Sequence, residues 1–519
     1  SRPGRGGPVR TEGALDLTAV RALAEGSLSS HANFLVAGRV VHGVGSELWT
    51  GEEAPSAYRE AVARMDGAAG AARQISATFF WNEERVNLAD EMPNAGPVHW
   101  GNTAGAIRLY SDIPDGEAQI GASFGSFSTR LPVVGSELTV IEGQSLRHRA
   151  FANLRHDRGR SRLDYGLSFE RMRLEHMALS VAIQEHPVLV EAQLQGDILG
   201  GYLSGQYQLF PVLWLRGGLR ANAFMAQSGG EVSTRFSPRA ELAWNASDRA
   251  VLTLGVGRYH QFVQHRLLTD ENVFFEVPEE EEFVIGSSLG VAGATHVVAG
   301  IEQAFDHGVR FGLEGFYKSF ETVEQLRRPQ VQASGIELWL RRAGAVWESA
   351  FGYSTGWAWA VEDTALSSSI FAGRHLMDAS VGARLGPANE VRLRATYATG
   401  VPYTAIPHGG DETQDVASGP SAFQGPFLSM KEEREEVPPD PALPRGSYLR
   451  VEGEISRTWR GGEPGSPFEV TAYLRVVNGL DRRDAMFVRV DDPAVPVDRE
   501  GRRGLPGAVL PILGVRWNF

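Results

Sequence analysis

The chain contains no cysteine, so it carries no disulfide framework and no thiolate metal site. Lysine is nearly absent as well. Lys318 and Lys431 are the two examples, and arginine supplies the other basic residues, which reads as a compositional bias of the source genome. No apolar run approaches the roughly 18–20 residues needed by a membrane-spanning helix, and Ser1–Arg10 lacks the apolar core of a secretory signal. No basic face is visible either. The 63 acidic residues outnumber the 50 basic ones and give a formal net charge of −13, which argues against a nucleic-acid partner. A chain of 519 residues, 42% hydrophobic and 22% charged, with mean hydropathy −0.20, would by default be soluble. The pattern inside its segments points elsewhere.

What is present is alternation of period two, repeated along the whole chain. In Phe468–Asn478, Phe468, Val470, Ala472, Leu474 and Val476 share one face, while Glu469, Thr471, Tyr473 and Arg475 share the other. In Tyr448–Ser456, Leu449, Val451 and Ile455 oppose Arg450, Glu452 and Glu454. In Phe236–Trp244, Phe236, Ala240, Leu242 and Trp244 oppose Arg239 and Glu241. In Glu390–Tyr397, Val391, Leu393, Ala395 and Tyr397 oppose Glu390, Arg392 and Arg394. The polar faces carry opposite charges side by side, which suits a wet interior better than a packed sandwich.

Connections alternate between short and long. Tight turns are expected at Pro114–Gly116, Arg158–Ser161, Ser247–Arg249, Asp306–Gly308, Ala343–Ala345 and Gly386–Asn389, and long irregular segments at 83–98, 265–294, 361–372, 403–445 and 479–506. This is the grammar of an all-β, large antiparallel transmembrane β-barrel, with short periplasmic turns and long extracellular loops. About 21 candidate strands can be counted, and the even number expected of a closed bacterial barrel makes 22 the working figure. Trp81, Trp100, Trp357, Trp359, Tyr259, Tyr317 and Tyr403 lie where strands meet long loops. Trp244, Trp459 and Phe519 lie beside short turns or the terminus. Two such bands are expected to be membrane girdles. At the end of the chain Val509, Pro511, Leu513, Val515, Trp517 and Phe519 form one face of a last strand, with Trp517 and Phe519 as candidates for barrel closure and for recognition by the barrel assembly machinery.

Several stretches resemble TonB-dependent outer-membrane receptors. Ala24–Leu28 (AEGSL) with Asn33–Arg39 (NFLVAGR) is similar to an early barrel hairpin of that family. Ser237–Trp244 with Leu254–Phe262 (LGVGRYHQF) resembles a mid-barrel hairpin, and Ala398–Thr404 (ATGVPYT) the strand end before a late extracellular loop. Ala472–Leu480 (AYLRVVNGL), with Arg482 and Arg483, resembles the penultimate strand. The resemblance implies location in the bacterial outer membrane, the lipid bilayer as solvent, and capture of an unknown small solute for import. It also implies an N-terminal plug through which the TonB system acts. Ser1–Gly7 resembles the end of such a plug, so residues 1–11 are expected to be plug end or linker and 12–519 the barrel.

No catalytic constellation and no metal-ligand spacing is recognisable, and neither enzyme activity nor a cofactor is expected. His148 and His156, among Arg147, Arg149 and Arg155, read as parts of a solvated wall. The acidic run Glu279–Glu282 reads as a solvated loop tip, although clustered carboxylates also attract cations. The inward charges Arg239, Glu241, Arg392, Arg394, Arg450 and Glu452 are candidates for the lumen wall or for contact with a plug. The alternative to a receptor is a passive porin or a structural scaffold barrel.

Overall fold

The computed structural model describes residues 6–44, 47–48, 56–86, 97–134, 138–180, 188–227, 232–264, 289–321, 330–362, 365–401, 404–407, 446–463, 466–481, 487–490 and 509–519. Its strands in chain order begin with β1 (Arg10–Asp16), β2 (Ala19–Ser29), β3 (Ala32–Val41), β4 (Ser56–Ala68), β5 (Arg73–Val86) and β6 (Val98–Ile113). Then come β7 (Gly116–Val134), β8 (Leu138–Arg158), β9 (Ser161–Ser180), β10 (Val188–Phe210), β11 (Leu213–Ala226) and β12 (Ser233–Ser247). They continue with β13 (Ala250–Gln264), β14 (Leu289–Ala304), β15 (Val309–Phe320), β16 (Gln330–Arg342), β17 (Trp347–Glu362) and β18 (Ala365–Arg384). The last are β19 (Asn389–Val401), β20 (Thr404–Pro407), β21 (Gly446–Glu463), β22 (Ser466–Val477), β23 (Phe487–Val490) and β24 (Leu510–Asn518).

Every strand except β20 and β23 pairs antiparallel with its sequence neighbours in one 22-stranded sheet, and β1 pairs with β24, so the sheet closes. Closure follows from the chemistry of the backbone. An edge strand in hydrocarbon would leave a row of amide and carbonyl groups with no partner, each costing several kcal/mol. No helix among the described residues is long and apolar enough to cross a membrane. The strands do the crossing. β20 and β23 pair parallel with one another in a separate two-stranded sheet and join two of the long connections.

Both ends of the paired chain and the turns 30–31, 114–115, 159–160, 211–212 and 248–249 lie at one end of the barrel, the periplasmic end for this architecture. The long connections lie at the other. The turns use residues that tolerate tight reversal: Asp115 and His307 have φ of 57° and 62°, and Gly159 and Gly386 have 59° and 92°, the left-handed region where most side chains clash. One expected loop is not irregular. Much of 361–372 belongs to β17 and β18, which run on to Glu362 and from Ala365 with three register shifts between them. The run of Ser, Ala and Phe there alternates too weakly to show as strand in the sequence. The segments 265–288 and 408–445, with Glu279–Glu282, and also Tyr403, lie outside the described residues.

The faces follow from register. Leu15, Val20 and Val36 stay on one face across β1 to β3, and Leu242 opposes Leu254 and Leu215. Leu393 opposes Val381 and Gly453, and Leu474 opposes Ile455 and Leu513. Leu167, Leu513, Ile120 and Leu393 are 67%, 60%, 59% and 56% exposed, an arrangement unfavourable in water and required in lipid. The opposite face carries Arg475, Glu469, Arg394 and Glu241 and lines the lumen. Trp459, Val470 and Trp517 lie side by side on β21, β22 and β24 and mark the lower lipid boundary. Leu474 stands four residues above that row, roughly 10 Å along the membrane normal and near the middle of an apolar band about 25 Å tall. Leu474→Arg is therefore expected to destabilise the inserted barrel by about 2–4 kcal/mol. The measurement is the urea midpoint of unfolding in lipid vesicles, and an unchanged midpoint would remove Leu474 from the lipid face.

Candidate functional site

The site is the inner wall, and strand spacing sets its scale. Twenty-two strands about 4.8 Å apart and tilted by about 40° close into a cylinder roughly 40 Å across. Side chains from the wall cannot meet in the middle of such a lumen, so charges that find partners find them laterally. Arg155 pairs with Asp164 at 2.8 Å, Arg162 with Asp157 at 2.6 Å and Arg216 with Glu241 at 2.6 Å. Wet pairs of this kind contribute little each, about 0–1 kcal/mol. Their effect is to hold long side chains flat against the wall.

The six inward charges named from the sequence fall into two groups. Arg392, Arg394, Arg450 and Glu452 lie together on β19 and β21, where Arg394 opposes Glu452 and Thr396 opposes Arg450. Arg392 pairs with Glu390 at 2.7 Å, and Arg394 donates to Asp378 at 2.8 Å, an oxygen that also accepts from the Thr396 hydroxyl at 2.7 Å. The Arg450 guanidinium lies over the Tyr448 ring, 5.5 Å from its centroid, and its Nε is buried without an acceptor. Arg239 and Glu241 stand apart on β12.

Of the expected girdle residues, Trp81 shares the face of Ile75 and Phe79, and Trp244 that of Phe236 and Leu242. Trp357 and Trp359 share the face of Phe351, and Trp459 that of Ile455. Trp100 departs from the expectation. It lies directly opposite Glu84 on the lumenal face and donates its indole N–H to the carboxylate at 3.0 Å, while Ile107 and Leu109 of the same strand face lipid. Tyr259 also faces inward, its ring 4.7 Å from that of His296. His148 and His156 share the face of Ala150, Ala152 and Leu154, opposite to Arg147, Arg149 and Arg155. His156 lies beside Tyr165, with Nε2 3.3 Å from its hydroxyl. Among the described residues no group of three His, Cys, Asp or Glu is placed to hold a metal ion.

At the seam between β1 and β24, the backbone of Phe519 exchanges two hydrogen bonds with Thr11, at 2.8 and 3.0 Å. On the outer side the Trp517 ring covers Gly13, where any Cβ would overlap it. The inner side holds a network that sequence reading missed. Tyr473 of β22, 4% exposed, crosses β24 over Gly514 and donates to Asp16 of β1 at 2.5 Å. The Arg516 guanidinium lies 4.1 Å from the centre of that ring and bonds Glu454 at 2.5 Å, and Glu454 also accepts from Arg475 at 2.8 Å. Four strands, including the first and the last, are thus tied through one chain of contacts. The one available signal was Gly514, the small residue that lets the tyrosine pass.

Comparison with solved structures places this fold. The ferric yersiniabactin uptake receptor FyuA from Yersinia pestis superposes with a TM-score of 0.68 at 10% identity, covering 100% of this chain and 80% of that one. The copper transporter OprC gives 0.66 at 10% identity, covering 100% and 81%. The closed form of the ferric-catecholate import receptor Fiu from Escherichia coli K12 gives 0.65 at 11% identity, covering 100% and 82%. The fold is that of a TonB-dependent receptor barrel. No family model and no curated protein matches the chain. In this fold the terminal strand closes the sheet against β1. Tyr473→Phe is expected to cost about 1–3 kcal/mol, because it leaves the Asp16 carboxylate short of one donor. The check is the temperature at which the folded, heat-modifiable band is lost, and an unchanged transition would reduce the network to ornament.

Proposed function

We propose that this chain is the barrel of an outer-membrane receptor that takes a small solute at its extracellular loops and passes it to the periplasm in a TonB-dependent step. The observation that carries the reading is the lumen itself: roughly 40 Å across, with many of its charges paired along the wall, as Arg155 with Asp164 and Arg216 with Glu241. A channel of that width left open would discharge the periplasm, so a separate polar body fills it. The lumen wall at Arg239, Glu241, Arg392, Arg394, Arg450 and Glu452 is the seat we assign to it. Arg450 offers that body an unpaired Nε, and an acceptor arriving there would relieve a buried, unsatisfied donor. The solved receptors of this fold are named for uptake of iron chelates and of copper, which supports import as the task of this barrel. The aromatic girdles and the lipid-facing leucines supply the anchoring in the bilayer, and insertion by the barrel assembly machinery completes the reading.

The test separates a receptor from a porin. Reconstituted in planar bilayers, residues 1–519 are expected to give a large, steady and poorly selective conductance. In cells, uptake through the native protein is expected to stop when TonB is inactivated. A lumen sealed by its own loops, or uptake indifferent to TonB, would contradict the proposal, the latter in favour of a passive pore.

A further inference from the structure

One sector of the lumen wall differs from the rest. The inner face of β8–β12 carries eight arginines, 147, 149, 155, 162, 216, 220, 235 and 239, against four acids, Asp157, Asp164, Glu170 and Glu241. Around β19 and β21, by contrast, arginine and carboxylate alternate one for one across neighbouring strands. The surplus is concentrated above the periplasmic pairs. Arg220 lies over Gly200, whose missing side chain makes the space: a Cβ there would stand 2.8 Å from Nη2 and 2.6 Å from the Asn222 Oδ1. From that recess Nε donates to Asn222 at 2.9 Å and Nη2 to Ser168 at 3.3 Å. Both acceptors are neutral. Arg239 lies in the same manner over Gly218, where a Cβ would come within 3.2 Å of its Nε.

The charges of Arg149 and Arg239 both repel the Arg220 guanidinium. The carboxylate that opposes them, Glu170, is 3.5 Å from Arg147. Among the described residues, Arg149, Arg220 and Arg239 have no carboxylate within ion-pair distance. Three cations are therefore held near one another: Arg220 and Arg239 lie in glycine recesses, and neutral acceptors fix Arg220 in its recess while leaving donors unused. Fixed guanidinium forks match the paired oxygens of carboxylate and phosphate, and fixing them beforehand reduces the entropy lost on binding. Strand spacing puts β8 and β11 about 14 Å apart, so the face suits a small solute carrying several anionic groups rather than a single ion.

We propose that Arg149, Arg220 and Arg239 form a docking face, part-way down the lumen, for a solute bearing two or more carboxylate or phosphate groups. This rests on the receptor reading and names the chemical class of its cargo. Citrate is the probe, and residues 1–519 in planar bilayers at 0.1 M KCl are the system, where screening extends over about 10 Å. Citrate is expected to reduce the current reversibly. In Arg149→Gln/Arg220→Gln/Arg239→Gln the half-blocking concentration is expected to rise by about tenfold or more. Arg108→Gln, on β6 and outside this face, is expected to leave it unchanged. Folding of each variant is checked by heat-modifiable migration, and the single variants Arg220→Gln and Arg239→Gln, each expected to shift the block partially, stand in if the triple fails to insert. Absence of block in the wild type, or equal block in wild type and triple variant, overturns the proposal. Arginine-dependent block by a polyglutamate peptide but not by citrate also overturns it, in favour of an acidic protein segment. Because block in the bilayer involves no TonB, its failure leaves the receptor reading standing, and TonB-independent uptake would sink that reading while leaving the docking face intact.

Discussion

Hydrocarbon offers no hydrogen-bonding partner, and the rest of this molecule depends on that constraint. A strand in the lipid must find a partner on both sides, so the sheet has to close. The final pairing is the most demanding, because it joins Glu12–Asp16 to Gly514–Asn518 across almost the whole length of the chain. Closing so long a loop is entropically costly before any contact compensates. The side chains at the seam meet that cost on both faces. Trp517 sits over Gly13 on the lipid side, and Tyr473 reaches over Gly514 to Asp16 on the lumenal side. A ring laid across a glycine gives contact area where the strand would otherwise be bare.

The same device recurs away from the seam. Tyr202 lies over Gly166 toward Asn153, Arg220 over Gly200, and Trp339 over Gly312. In a dry core, large side chains fill the space in front of them. In a lumen roughly 40 Å wide they cannot reach anything there, so they fold sideways onto neighbouring strands. The glycines make this lateral packing possible, and the result is a smooth, polar, hydrogen-bonded wall that leaves the centre free. The wall leaves charge uncompensated chiefly on β8–β12.

Much of the architecture was legible because its signals are local. Alternation in Phe468–Val477, tight turns at Pro114–Gly116 and Arg158–Ser161, and the terminal Trp517–Phe519 pattern each follow from period two and from turn chemistry. What was not legible depends on register and on partners distant in sequence. Trp100 lies near a loop, as girdle residues do, but Ile107 and Leu109 fix the lipid-facing parity of that strand and put Trp100 on the other face. The weakly alternating segment 361–372 gave no strand signal, yet β17 and β18 extend through much of it. The length of β7 to β10, 19 to 23 residues, was also hidden, because above the membrane the outer face turns from apolar to ion-paired, as in Arg171–Asp197 at 2.8 Å, and the alternation loses its contrast. The seam network joins residues more than 450 positions apart, which no local pattern can reveal.

The central claim is that each strand presents one face to lipid and one to a water-filled lumen, and the absence of native cysteine allows that to be read residue by residue. Single cysteines placed in turn at positions 469 to 476 of β22 would be exposed to a membrane-impermeant maleimide in intact proteoliposomes. The account predicts labelling at 469, 471 and 475, from the lumen, and protection at 470, 472, 474 and 476, against lipid. Labelling without a period of two, or with the two sets exchanged, would contradict it.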